Sequence, residues 1–235
     1  GTNTAIAGAD VFTCEALPKI DVLILTHDHY DHLDYSSFKN IKDKVSKIIC
    51  PLGVGEHLEY WGFPKENIIE LDWYEDASLT DSIKITATPA RHFSGRSFKR
   101  NTTLWASYVL QTKNLNIYLG GDSGYDTHFK EIGTKYGPFD LAILENGQYD
   151  RKWKYIHMMP EEVVQASNDL QAKRFFPVHS SKFKLANHPW KEPLERVSIA
   201  SAKQTASQLI TPKIGEVIYL NQQDQVFEKW WEQVN

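Results

Sequence analysis

Short apolar runs alternate with amphipathic stretches along this chain, the pattern expected when strands and helices are laid down in successive layers. Ile20 to Leu25 is apolar but for one aspartate and predicts a buried strand. Asp34 is placed to cap a helix from about Tyr35 to Val45, and Lys47 to Cys50 reads as a short strand stopped by Pro51. Gly53 to Trp61 predicts a helix and Asn67 to Leu71 an extended segment. Ser82 to Thr88 alternates with a period of two, so a half-buried strand leads directly toward His92. Further strands are predicted over Leu104 to Leu110, Leu115 to Leu119, Phe139 to Leu144 and Arg174 to Val178. Pro160, followed by Glu161 and Glu162, opens a helix to about Ala172. A final helix falls within Trp190 to Leu209 and a last strand over Glu216 to Leu220. His27, His92, Asp122 and His179 each follow directly on one of these strands, and strand ends are where layered α/β folds gather their sites.

The first of those strand ends carries the densest chemistry. Thr26-His27-Asp28-His29-Tyr30-Asp31-His32-Leu33 packs His27, His29, Asp31 and His32 into one short stretch. Residues two apart in extended chain point the same way, so His27 and His29 can aim at one point while Asp31 and His32 turn toward a second. Two adjacent metal ions would be held in that way. Neutral imidazole and carboxylate suit zinc, and equally manganese or iron. A merely solvated turn would draw on Gly, Asn and Ser instead.

Composition narrows the picture. With 235 residues, 41% of them hydrophobic, the chain can bury one substantial core and reads as a single domain over residues 1–235. A net charge of −4 provides no broad basic field, which argues against a nucleic-acid partner. Two local basic clusters, Arg96 with Lys99 and Arg100, and Arg151 with Lys152 and Lys154, read as solvated surface or as groups receiving an anionic substrate. Cys14 and Cys50 are too few for a disulfide framework. No stretch approaches the ~20 apolar residues that span a bilayer, and no secretory leader pattern opens the chain, so a cytoplasmic location is expected. Gly1 to Ala5 reads like the interior of a longer protein.

The His-x-His-x-Asp-His spacing after a buried strand resembles the signature of the metallo-β-lactamase superfamily. Four later stretches sharpen the resemblance to the branch containing N-acyl-phosphatidylethanolamine-hydrolysing phospholipase D and ascorbate-6-phosphate lactonase. They are Thr88 to Arg96 (TPARHFSGR), Gly120 to Tyr125 (GGDSGY), Tyr155 to Glu162 (YIHMMPEE) and Phe176 to His179 (FPVH). The resemblance implies a four-layer αββα sandwich, here lacking its first amino-terminal strands. It further implies two divalent ions, zinc foremost and manganese or iron as alternatives. His27, His29 and His92 would hold one, Asp31, His32 and His179 the other, with Asp122 between them. The implied reaction is hydrolysis by a hydroxide bound to both ions, with Asp31, Asp122 and His157 as the catalytic side chains. His157 would orient substrate or give a proton to the leaving oxygen, and Asp28 would support an imidazole N–H. Tyr30, Phe93 and Trp153 are candidates to line the pocket along with His157. The implied substrate is a small or lipid-like anionic molecule, a phosphodiester or phosphorylated compound. A lactonase or an ester or amide hydrolase with the same centre is the alternative, and a non-catalytic metal-binding protein a further one. An iron redox enzyme on this fold would carry glutamate where His29 stands.

Overall fold

Alternation along individual strands shows how the layers are built. The computed structural model describes residues 5–234 apart from 97, 205 and 223. Three parallel strands, β1 (Ile20–Ile24), β2 (Val45–Pro51) and β3 (Ile68–Leu71), form one sheet. The helices α1 (Tyr35–Ile41) and α2 (Gly55–Tyr60) lie between them in the chain. On β2, Ile48 joins the core shared with Phe38 of α1 and Leu58 of α2. Its neighbour Ile49 points the other way, into a second core with Ile85, Ala87 and Tyr108.

Those last residues belong to a seven-stranded mixed sheet. Its strands are β4 (Asp76–Thr80), β5 (Ile83–Thr88), β6 (Ser107–Gln111), β7 (Asn116–Leu119), β8 (Leu141–Glu145), β9 (Arg174–Val178) and β10 (Gln208–Leu209), side by side in reverse chain order. β4 to β7 are mutually antiparallel, and β7 to β10 run parallel. The parallel half requires crossovers. These are α3 (His128–Tyr136), α4 (Pro160–Asp169) and α5 (Glu192–Ser201), which cover the outer face. Phe129, Val163 and Val197 from the three helices meet Val109, Tyr118 and Phe175 in a third core. Phe175 is fully buried, which stabilises by about 1.5–3 kcal/mol for that one side chain. Three cores separating four layers make the αββα sandwich expected from the resemblance.

Local sequence explains most boundaries. Asp34 caps α1 as expected, its carboxylate accepting the Ser37 N–H at 2.7 Å. The strand expected from Leu104 begins only at Ser107, because Leu104 and Ala106 give their N–H groups to Leu52 and Thr26 and lean toward the first sheet. The strand expected over Glu216 to Leu220 does not form. That segment pairs with no strand, and Glu216 closes a turn on Lys213 instead. β4 and α3 are not among the expected elements: β4 is an edge strand with only half-buried inward residues, and α3 is a nine-residue helix that buries Phe129 and Ile132 along one face. Residues 1–4, part of the segment behind the expectation of missing strands, lie outside the described residues. Among the described residues no helix is long and apolar enough to cross a membrane.

Candidate metal centre

Four strand ends and one loop deliver the predicted residues to one edge of the sandwich. Beyond β1 the chain turns tightly, with the N–H groups of His32 and Leu33 both bonded to the His29 carbonyl. Leu33, fully buried, anchors that turn in the core of the first sheet. Past β7, Gly121 takes a φ of +60° and lies so close to Thr26 that a Cβ there would stand 2.8 Å from the threonine Cβ. Only glycine therefore brings Asp122 beside the first turn. His179, at the end of β9, holds a φ of +66°, an unfavourable conformation for a side chain of its size. Such strain costs on the order of 1–3 kcal/mol and persists where surrounding structure imposes it.

The ring nitrogens and carboxylates converge in two groups. In the first, His29 Nδ1 lies 3.1 Å from both His27 Nε2 and His92 Nε2. In the second, His179 Nε2 lies 3.2 Å from His32 Nε2 and 3.3 Å from Asp31 Oδ2. Asp122 Oδ2 reaches both, 3.2 Å from His32, 3.5 Å from His179, 3.8 Å from His27 and 3.9 Å from His92. Donors about 2.0–2.1 Å from a tetrahedral ion are spaced at roughly 3.3–3.4 Å from each other. The distances here straddle that value, so the donor set fits divalent cations. Hydrogen bonding is a poor account of the first group, since a single ring nitrogen of His29 cannot pair well with two others.

Electrostatics at His27, His92 and Asp122 favour the same use. Burial holds the His27 imidazole well below its ordinary range and pushes His92 down to about 4, keeping both neutral with lone pairs available. Burial opposes ionisation of Asp122, but His179, His32 and His27 around it hold its carboxyl well below the usual carboxylate range. His179 is displaced upward, because Asp122, Asp31 and Glu145 outweigh its burial.

A supporting layer surrounds these donors. His92 Nδ1–H donates to the Ile156 carbonyl at 2.9 Å, which fixes the ring with Nε2 inward. Asp28 is buried and accepts the Gly95 N–H at 2.7 Å. Its nearest imidazole is His57 at 3.5 Å, so Asp28 ties two loops together, and among the described residues it makes no hydrogen bond to a ring of the centre. Arg96 gives its guanidinium to the carbonyls of Asp28 and Leu33 and stacks on Tyr30 and Trp61, 4.3 and 5.2 Å from their ring centres. Of the first basic cluster, then, Arg96 is occupied in bracing the ligand turn. Arg100 faces the centre's mouth instead, in a cavity of about 370 Å³ shared with His29, Tyr30, Asp31 and Phe93. Trp153 is 39% exposed and stands beside His157, ring centres 6.3 Å apart. A cavity of about 500 Å³, mostly apolar in its lining, reaches Val178 and His179.

His157 packs against two of the donor rings, 5.3 Å from His92 and 5.7 Å from His179 between ring centres. Its Nδ1 lies 2.7 Å from Glu145 Oε2. Glu145 was not anticipated from sequence beyond its place at a strand end. The available signal was a carboxylate closing a strand that otherwise reads as continuous core, Leu141 to Leu144.

Comparison with known proteins places the chain among relatives. The family model described as beta-lactamase superfamily domain matches residues 9–180. An uncharacterized protein of Mycobacterium tuberculosis is 46% identical over 190 residues, covering 79% of this chain and 51% of the relative. The mitochondrial N-acyl-phosphatidylethanolamine-hydrolyzing phospholipase D of Saccharomyces cerevisiae is 34% identical over 193 residues, 78% of this chain and 41% of its own length. A similarly named phospholipase D 1 of Caenorhabditis elegans is 29% identical over 219 residues, 86% of this chain and 62% of its own. The chain thus spans about half the length of the first of these relatives. Among solved structures, an isothiocyanate hydrolase from Delia radicum gut bacteria superposes with a TM-score of 0.68 at 19% identity, covering 88% of this chain and 78% of that one. At that identity the likeness shows the fold alone.

Proposed function

Because this chain belongs to the beta-lactamase superfamily, we propose that it is a metal-dependent hydrolase whose centre holds two divalent cations and acts on a phosphodiester or a phosphorylated small molecule. Asp122 carries this reading: one buried carboxylate oxygen is the common neighbour of two separate donor groups. His27, His29 and His92 would hold one ion, and Asp31, His32 and His179 the other, with zinc, manganese and iron all suited to such donors. When bound, a pair of divalent cations supplies an acidified water at neutral pH and stabilises charge on the oxyanion. The chain's own residues do the rest. Tyr30 and Phe93 flank the mouth, and Arg100 is positioned to receive an anionic group of the substrate there. Trp153 stands beside His157, which packs on His92 and His179 and delivers a proton to the leaving oxygen. Residues 1–235 act as one hydrolase domain in this reading.

The phosphodiester is favoured by the phospholipase D names among the relatives and by the arginine at the mouth. Protein stripped of metal and reloaded with zinc or manganese should hydrolyse a nitrophenyl phosphodiester in step with metal uptake, reaching about two equivalents per chain. Saturation at one equivalent would refute the paired centre. Full loading with turnover only on lactones or carboxylic esters would transfer the assignment to that substrate class.

A further inference from the structure

Glu145 closes β8 with its side chain 1% exposed, and its ion pairs among the described residues are with imidazoles rather than with lysine or arginine. Its two oxygens have separate tasks. Oε2 accepts from His157 Nδ1 at 2.7 Å, and Oε1 accepts the backbone N–H of Met158 at 2.8 Å. The approach to His179 Nδ1, at 3.6 Å, is beyond hydrogen-bond reach. An ionised carboxylate offers acceptors on both atoms and no donor, and this is what two N–H groups from adjacent residues demand. With Nδ1–H committed to Glu145, proton exchange by the ring is left to Nε2. The ring itself is stacked on His179 at an interplanar angle of 17°.

We infer that Glu145 is the positioning residue for His157, holding the imidazole with a proton on Nδ1 so that Nε2 is the atom that serves the leaving group. The last clause rests on the hydrolase reading, whereas the placement of the ring proton does not. In the chemical step, a water oxygen bonds to phosphorus and gives up a proton to solvent, while the bond from phosphorus to the leaving oxygen breaks with its electron pair on the leaving oxygen. The proton on Nε2 of the imidazolium passes to the same oxygen, and the neutral ring remains with Nδ1–H on Glu145.

Glu145→Gln tests this with little change of shape. Glutamine has one acceptor and one donor atom at those positions. If its oxygen keeps the Met158 N–H, its amide NH₂ donates to His157 Nδ1 and the ring proton must move to Nε2. Long-range ¹H–¹⁵N spectra of histidine-labelled, zinc-loaded protein at alkaline pH read the tautomer directly, with His157 assigned by its loss in His157→Gln. The expected result is protonated Nδ1 in the parent and protonated Nε2 in E145Q. Protonation on Nε2 in the parent, or one tautomer in both proteins, overturns the inference.

Kinetics test the role. At saturating zinc, E145Q should keep activity within about tenfold on a nitrophenyl diester, whose leaving group needs no proton. It should lose roughly 10²–10⁴-fold on a diester with an alkyl leaving group. The E145Q and H157Q changes combined should be no worse than H157Q alone. Equal losses on both esters, or additive losses, would refute the proton-delivery role. A parent protein inactive on every ester would sink the hydrolase reading, and the spectra would still decide the placement of the proton.

Discussion

Gly124→Ala is the substitution whose effect can be worked most directly from distances. Gly124 passes beneath the Tyr155–His157 loop, and a Cβ on it would stand 2.4 Å from both the carbonyl carbon and oxygen of Tyr155 and 2.9 Å from the Ile156 nitrogen. These are backbone atoms, so no side-chain rotation relieves the clash. Ordinary contact begins near 3.4 Å, and the loop must therefore retreat by about 1 Å, a shift of the scale that overpacking produces. The displaced loop carries the Ile156 carbonyl, which accepts from His92 at 2.9 Å, and His157, bonded to Glu145 at 2.7 Å. A shift of ~1 Å takes either bond to or past the limit of useful geometry. Overpacking costs about 1–3 kcal/mol, and a disrupted buried hydrogen bond adds about 1 kcal/mol. G124A should therefore lose about 2–4 kcal/mol, read from the urea midpoint at constant m-value. The same displacement at the centre should cost roughly 10²-fold in kcat/KM on the nitrophenyl diester. A variant within about 0.5 kcal/mol of the parent, with unchanged turnover, would show that the loop is free to move and that Gly124 does not hold it in place.

Three further outcomes are expected. Arg96→Ala leaves two carbonyls of the ligand turn without a charged donor and unstacks Tyr30 and Trp61. It should cost about 2–3 kcal/mol and weaken zinc binding in a competition titration; unchanged affinity would make the brace irrelevant to the centre. His128 is buried against Phe129 and Ser123, and burial pushes its imidazole down to about 4. Its folded-state pKa is thus below the unfolded value near 6.5, so its contribution is complete above that pH and is lost as pH falls toward 4, up to about 3 kcal/mol in all. The difference in urea midpoint between parent and His128→Gln, both stripped of metal, should vary across that window, and parallel profiles would contradict the assignment. Zinc at about a hundred times its dissociation constant should raise unfolding stability by about 2.7 kcal/mol per site. Asp122→Asn should diminish that gain, and an undiminished gain would remove Asp122 from the centre.

Legibility from sequence followed the range over which each structural cause acts. His27, His29, Asp31 and His32 were readable because one tight turn places all four, and local spacing is what a sequence displays. His92, Asp122 and His179 come from strands far apart in the chain, and only the resemblance linked them in advance. Glu145 offered no period or motif, because its purpose lies in a contact with a loop twelve residues onward. Arg96 misled for the opposite reason: beside Lys99 and Arg100 it looks like part of a charged patch, while folding turns it inward onto carbonyls and aromatic rings. The Glu216 to Leu220 segment has a strand-like composition, yet no neighbouring strand offers it a partner, and pairing is what makes a strand.

The centre is also where this fold carries its unfavourable terms. His179 holds a strained backbone, His27 and His92 are buried without charge, and Asp122 and Glu145 are buried carboxylates whose ion pairs, among the described residues, are with histidines. Leaving any such group unpartnered costs on the order of 1–3 kcal/mol. The remainder of the sandwich supplies the offset through three apolar cores, each tied to the site edge by a residue on a segment that carries a donor: Leu33 beside His32, Ala87 on the strand leading to His92, and Phe175 on the strand ending at His179. A rigid scaffold thus holds strained, desolvated donors in a geometry that solvent cannot relax. In the proposed centre, divalent cations would lower the energy of His27, His92, Asp122 and His179 together, on a site already arranged to receive them.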